Sequence, residues 1–131
     1  MSNTELKTIL YAEDEADIRD IARIALEDIG GFTVRYCSNG QEALEAAKEF
    51  RPDLVLLDVM MPEMDGPTTL RALRKMDDFS SIPAIFMTAK IQANEIEEYK
   101  SIGAIDVIVK PFDPMTLADD IKQSWIIYHG Q

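Results

Sequence analysis

The stretch DLVLLDVMMPEMDG, residues 53–66, decides the architecture. Its apolar part, Leu54-Val55-Leu56-Leu57, has no polar residue in it and stops at Asp58. A short run that is apolar on every position suits a strand covered on both faces, as in the middle of a parallel sheet. The loop VMMPEMDG carries turn chemistry at both ends, and Pro67 directly after Gly66 is placed to open a helix with Leu70 and Leu73 inward. Buried strand, acid-bearing loop and amphipathic helix together form the repeating unit of an α/β protein.

The same unit recurs on either side. Upstream, Leu6 to Ala12 is an apolar stretch cut off by Glu13-Asp14-Glu15. Ile18, Ile21, Ala22, Ala25 and Ile29 then predict one inward helical face, with Gly30-Gly31 ending it. Phe32 to Cys37 alternates as a half-buried strand, and the next helix turns Ala43, Leu44 and Ala47 inward until Arg51-Pro52 closes it. Downstream, Pro83 to Met87 is the fourth strand. It is followed by Thr88-Ala89-Lys90 and a helix with Ile96, Tyr99 and Ile102 inward and Gly103 after its end. Ile105 to Val109 is the fifth strand. Past Lys110-Pro111-Phe112, Asp113 as N-cap and Pro114 as first helical residue start a last helix with Leu117, Ala118, Ile121 and Trp125 inward. The pattern predicts (βα)5, a doubly wound open parallel sheet of five strands with helices on both faces.

At 131 residues and roughly 150 residues per domain, the chain is expected to be one domain over 1–131 without an attached output module. A hydrophobic share of 47% supplies a core, and a net charge of −11 argues against direct nucleic-acid binding. Apolar runs of four residues fall far short of the ~18 that a membrane span needs, so no membrane insertion is expected. The N-terminus meets acidic residues before any signal-like core, and Cys37 is the one cysteine, so the expected location is cytoplasmic.

In an open parallel sheet ligands sit beyond the carboxyl ends of the strands. Glu13-Asp14, Asp58, Thr88 and Lys110 occupy four of those ends, so three carboxylates, a hydroxyl and an ammonium converge although far apart in sequence. Carboxylates about 5 Å apart repel by about 3 kcal/mol per pair at an effective dielectric of ~20. A hard divalent cation neutralises such a cluster, and Mg²⁺ takes oxygen ligands of this kind. With Asp58 as nucleophile the set has the composition of a phosphoryl-transfer site.

ILYAEDEADIR, DLVLLDVMMPEMDG, PAIFMTAK and GAIDVIVKPF, in this order, resemble the CheY-like receiver domains of two-component response regulators over essentially the whole chain. The resemblance implies the strand order 2-1-3-4-5. It also implies a signalling role in which Asp58 accepts a phosphoryl group from a sensor histidine kinase or a histidine phosphotransfer protein. Mg²⁺ (or Mn²⁺) would be held by Asp14, Asp58 and the backbone carbonyl of Met60, with Glu13 acting through a water. Thr88 and Lys110 would each take a phosphoryl oxygen, Pro111 would follow a cis bond, and Asp65-Gly66 would shape the loop. A phosphoacceptor switch of this kind is not a conventional enzyme, although the receiver itself catalyses phosphotransfer and self-dephosphorylation. Its output is a protein-binding face, with a homodimer through the fourth-helix and fifth-helix face as one form.

Two departures bear on the switch. Glu13 stands where most of the family has aspartate, and Val107 stands where it usually has Tyr or Phe, so switching would run through Thr88, Lys90 and the loop backbone or reach a different surface. Met60 and Lys90 are placed to set phosphoryl lifetime: a thioether cannot orient a water as an amide can, and an ammonium shields the phosphoryl group. The alternative reading is a degenerate receiver, a phosphate-independent interaction module, which Val107 favours and intact Asp58, Thr88 and Lys110 oppose. Trp125-Ile126-Ile127-Tyr128 covers every side of a helix, so at least one of these residues faces outward, as a frayed end or a partner surface. Cys37 and His129 read as structural.

Overall fold

A computed structural model describes residues 5–130. In chain order the elements are β1 (Thr8–Ala12), α1 (Ala16–Arg23, continued by a π-helical segment, Ile24–Ile29), β2 (Thr33–Cys37), α2 (Gly40–Phe50) and β3 (Leu54–Asp58). They continue with α3 (Gly66–Arg74, followed by a 3-10 turn at Asp77–Phe79), β4 (Ala84–Thr88), α4 (Ala93–Ser101), β5 (Ala104–Val109) and α5 (Leu117–His129). The strands form one parallel sheet in the order β2-β1-β3-β4-β5, with Ile9 opposite Leu54, Val55 opposite Ala84 and Phe86 opposite Val107. The fold and strand order match the expectation.

Alternation along the strands divides the core in two. Leu10, Ala12, Val55, Leu57 and Phe86 face α2, α3 and α4, meeting Ala43, Ala47, Leu70, Leu73 and Tyr99. Ile9, Tyr11, Leu54, Leu56 and Met87 face α1 and α5, meeting Ala22, Leu26, Leu117, Ile121 and Trp125. Every residue of β3 is buried, as a doubly covered central strand requires.

The first helix departs from its predicted face. Ile21 and Ile29 are exposed and Ile18 is half-buried, while Ala22, Ala25 and Leu26 line the core. Leu26 follows Ala22 at the ordinary i+4 spacing, and Ile29 is turned out of that face by the π segment, in which Gly30 N–H donates to the Ala25 carbonyl, an i→i−5 bond that widens the last turn. Gly31 takes φ +76°, which ends the helix as the sequence suggests.

The last helix starts later than its capping signal. Asp113 Oδ1 accepts from Met115 N–H at 2.9 Å, and the Asp113 carbonyl accepts from Thr116 and Leu117. Those bonds close a turn that leads into the helix, which is regular from Leu117 onward. Pro67 lies in the first turn of α3 as expected, and Asp65, for which the resemblance implies only a loop-shaping role, caps that helix by accepting from Thr68 N–H at 2.8 Å. Ile126 is 63% and Ile127 54% exposed, whereas Trp125 is buried with the His129 ring 4.1 Å from its own. Among the described residues no helix is long and apolar enough to cross a membrane.

Candidate functional site

Parallel strands end on one rim, and β1, β3 and β5 deliver their last or next residues there. Glu13 and Asp14 follow β1, Asp58 ends β3, and Lys110 follows β5. One carboxylate oxygen each from Glu13, Asp14 and Asp58 lies within 4.8 Å of the others, with Glu13 and Asp58 buried and Asp14 exposed. Lys110 Nζ lies 3.1 Å from Glu13 Oε1 and 3.0 Å from Asp58 Oδ1. The contact to Glu13 is a hydrogen bond, whereas the approach to Asp58 is an ion pair of poor hydrogen-bond geometry. Asp58 Oδ1 is therefore a buried carboxylate oxygen with charge beside it and no hydrogen-bond donor. An open cavity of about 440 Å³ exposes this cluster, lined by Asp14, Asp58, Met60, Ala89, Lys110 and Pro111 among others.

Glu13 is fixed from three sides. Oε1 accepts from Lys110 and from the Tyr11 hydroxyl at 3.3 Å, Oε2 accepts from Glu15 N–H at 3.2 Å, and Arg19 grips the Glu13 carbonyl at 2.6 Å. Burial, with the Asp58 charge adding to it, pushes the Glu13 carboxyl up to about 7. Burial also raises Asp58 above the usual carboxylate range, against the lowering pull of Lys110. Lys110 is lowered by burial and raised by its two carboxylate partners, and the carboxylates prevail. Two acids that resist ionisation beside a cation are a site built for more positive charge than the lysine supplies.

The residues fit a divalent cation. The donor set is all oxygen, Asp58 Oδ1 lacks a hydrogen-bond donor, and among the described residues nothing donates to the Met60 carbonyl. The Met60 side chain is 75% exposed at the cavity. Gly66 holds the loop close: a Cβ there would lie 2.5 Å from the Asp58 carbonyl oxygen, so only glycine admits this approach.

Thr88 is the predicted site residue that the structure keeps apart. Its hydroxyl donates to the Lys90 carbonyl at 3.1 Å, and it does not line the cavity. Lys90 is exposed at the start of the following loop. Val107 is half-buried and packs against the cluster that contains Phe86 and Tyr99, whose rings lie 4.8 Å apart. The Lys110–Pro111 peptide bond is cis. Cys37 is buried with its thiol pushed up to about 11 by desolvation, as a structural cysteine would be. Tyr11 and Arg19 were not singled out from the sequence; Tyr11 could have been, because alternate residues of a strand share a face and Glu13 is two away.

The family model described as response regulator receiver domain matches residues 9–122. The chain belongs to the response regulator receiver family. Among its relatives, MtrA of Mycobacterium tuberculosis, a DNA-binding response regulator, is 36% identical over 120 residues, covering 92% of this chain and 51% of that protein. PhoB of Pseudomonas aeruginosa, a phosphate regulon transcriptional regulator, is 37% identical over 116 residues, 88% of this chain and 50% of that one. The receiver thus spans about half the length of the curated relatives it matches. Among solved structures, the chemotaxis protein CheY4 of Vibrio cholerae superposes with TM-score 0.85 at 30% identity, over 92% of this chain and 99% of that one. Response regulators of this family act as phosphoacceptors in two-component signalling, and receivers bind Mg²⁺ in an acidic pocket of the kind formed here.

Proposed function

We propose that Asp58 is the phosphoacceptor of this receiver and that its phosphorylation switches a protein-binding face. One observation carries the assignment: Asp58 is a buried carboxylate with an oxygen free of hydrogen bonds, facing an open cavity between two acids and a lysine. An Asp58 oxygen attacks the phosphorus of a phosphohistidine on a sensor kinase or phosphotransfer protein. The new O–P bond forms as the P–N bond breaks, and the imidazole nitrogen keeps the electron pair. Hydrolysis reverses the loading when water attacks the same phosphorus and the carboxylate leaves.

Glu13, Asp14, Asp58 and the Met60 carbonyl would hold Mg²⁺ (or Mn²⁺), with Glu13 set back in the core and acting at one remove. Bound there, the ion would offset the charge of the incoming phosphoryl oxygens. Lys110 releases part of its hold on Glu13 and takes one phosphoryl oxygen as a fixed cation. Thr88 must exchange its bond to the Lys90 carbonyl for a phosphoryl oxygen, and that exchange pulls the loop after β4 toward the site. With valine at 107, the motion reaches α4 through the loop backbone. The exposed Ile126 and Ile127 near the end of α5 lie on the output side, where a downstream protein or a second copy of the chain would bind. With a net charge of −11 over the whole chain, the receiver is not expected to bind nucleic acid directly, and the cytoplasm, where such kinases act, is the location that fits.

The test is incubation with Mg²⁺ and acetyl phosphate followed by intact mass, with Asp58→Asn as control. One added phosphate on the wild type and none on the variant is the expected result. No adduct on the wild type would overturn it in favour of a phosphate-independent interaction module, and an adduct on Asp58→Asn would place the acceptor elsewhere.

A further inference from the structure

One polar group lies in the core beneath the site without a part in the chemistry described above, the hydroxyl of Tyr11. Tyr11 is fully buried on β1, on the same strand face as Glu13. A buried phenol needs a partner for its O–H. Among the described residues, the hydrogen bond this hydroxyl makes is to Glu13 Oε1, at 3.3 Å. The ring is braced edge-on by Tyr36, centroid to centroid 6.2 Å at 62°. Tyr36 is itself tethered, its hydroxyl donating to Glu27 Oε2 at 2.8 Å and the Arg23 guanidinium lying 4.8 Å over its ring. The Tyr11 hydroxyl is thus held in one place under the acid cluster.

We propose that Tyr11 is a positioning residue for the divalent-cation site, and that its hydroxyl is what allows glutamate rather than aspartate to serve at position 13. The inference rests on Glu13, Asp14 and Asp58 forming that site. Glutamate has one more torsion than aspartate to fix, and a carboxylate with no exposed surface needs donors on its lone pairs. Glu13 has three donors, Lys110, Glu15 N–H and Tyr11. Lys110 is shared with Asp58 and is the group that must turn to a phosphoryl oxygen. Tyr11 supplies the side-chain donor that no ligand or reactant claims, so it holds Oε1 while Lys110 moves. Without it the carboxylate swings away from the cluster to find another donor. An aspartate at 13 ends one methylene short of the hydroxyl and does not depend on it.

The experiment is calorimetric titration of the metal-depleted chain with Mg²⁺ alone and with Mn²⁺ alone, for wild type, Tyr11→Phe, Glu13→Asp and the double variant. Phenylalanine keeps the ring and its packing, and thermal melts in chelator check that each variant is folded. Tyr11→Phe is expected to weaken cation affinity about tenfold, the lower end of the effect of removing a group that orients a ligand. In the Glu13→Asp background the same change is expected to cost less than about twofold, because the coupled partner is gone. Equal affinities of wild type and Tyr11→Phe would overturn the inference while the cation site stands. Equal losses in both backgrounds would overturn it as well, since core packing would then be the cause. Absence of cation binding by the wild type would overturn the site and the inference together.

Discussion

Replacing Asp58 by asparagine should stabilise the metal-free receiver and remove most of its response to Mg²⁺. Above about pH 7, where Glu13 is ionised, the Asp58 and Glu13 oxygens, within 4.8 Å of each other, repel by about 3.5 kcal/mol at an effective dielectric of ~20. Asp14 is exposed and repels Asp58 mainly through water, by about 1 kcal/mol. Lys110 at 3.0 Å attracts Asp58 by about 5.5 kcal/mol on the same scale. These pairwise terms cancel to within about 1 kcal/mol, so burial decides the sign. Asp58 is 2% exposed, and an ion that deep loses several kcal/mol of hydration, whereas asparagine has nearly the same shape and no charge. The expected gain in chelator is about 2 kcal/mol, or about 6–10 °C in Tm for a domain of this size. Wild type should recover about 2.7 kcal/mol when Mg²⁺ is at 100 times its Kd, and the variant, short of a ligand, much less. Differential scanning calorimetry in chelator and in Mg²⁺ measures both. A variant that melts below wild type in chelator would refute the electrostatic argument, and equal Mg²⁺ shifts would remove Asp58 from the cation site.

Three further outcomes follow from the same geometry. Because the Glu13 pKa is raised to about 7 from its ordinary value, the folded protein holds that proton more tightly than the unfolded chain. Its contribution to metal-free stability is therefore full below about pH 4.5 and is lost as pH rises through about 7, and Glu13→Gln should flatten that part of a urea-melt profile. Gly66→Ala puts a Cβ 2.5 Å from the Asp58 carbonyl oxygen, so it should lower stability by about 1–3 kcal/mol and slow acetyl-phosphate labelling. Equal labelling rates would show that the loop tolerates the shift. Met60→Asn places an amide at the cavity mouth in place of an exposed thioether and should shorten the lifetime of phosphorylated protein, read as decay of the adduct by intact mass. An unchanged decay rate would show that water reaches the phosphorus by another route.

What the sequence disclosed about the fold depended on whether a residue's environment is set locally. Leu54 to Leu57 could be read because a run with no polar face has few places to go except between two layers, and β3 is buried throughout. Pro67 could be read because helix-start signals act within one turn, and it does stand in the first turn of α3. Ile29 was misplaced because a 3.6-residue period presumes an α-helix to the end. The bond from Gly30 N–H to the Ala25 carbonyl changes that period, and no residue type announces it. Asp113 carried a genuine capping signal, and it caps the turn that leads into α5, whose regular part begins at Leu117.

The site divides along the same line. That Glu13, Asp14, Asp58 and Lys110 meet follows from topology, because each stands at the carboxyl end of a parallel strand and those ends share a rim. Which way each side chain then turns is set by partners that strand position does not specify. Thr88 stands at the right strand end, yet its hydroxyl satisfies the Lys90 carbonyl, which gives the unphosphorylated protein a reason to keep it out of the cavity. Glu13 stands at the right end too, yet with Lys110, Glu15 and Tyr11 as donors it lies back in the core, where a shorter acid would reach neither the lysine nor the phenol in the same way. The lysine is consequently occupied before any phosphoryl group arrives. On the proposed reading, loading Asp58 would take Lys110 from Glu13 and Thr88 from Lys90 together, so that the resting bonds and the bonds to the product would use the same atoms and give the site two discrete arrangements, the physical requirement for a switch.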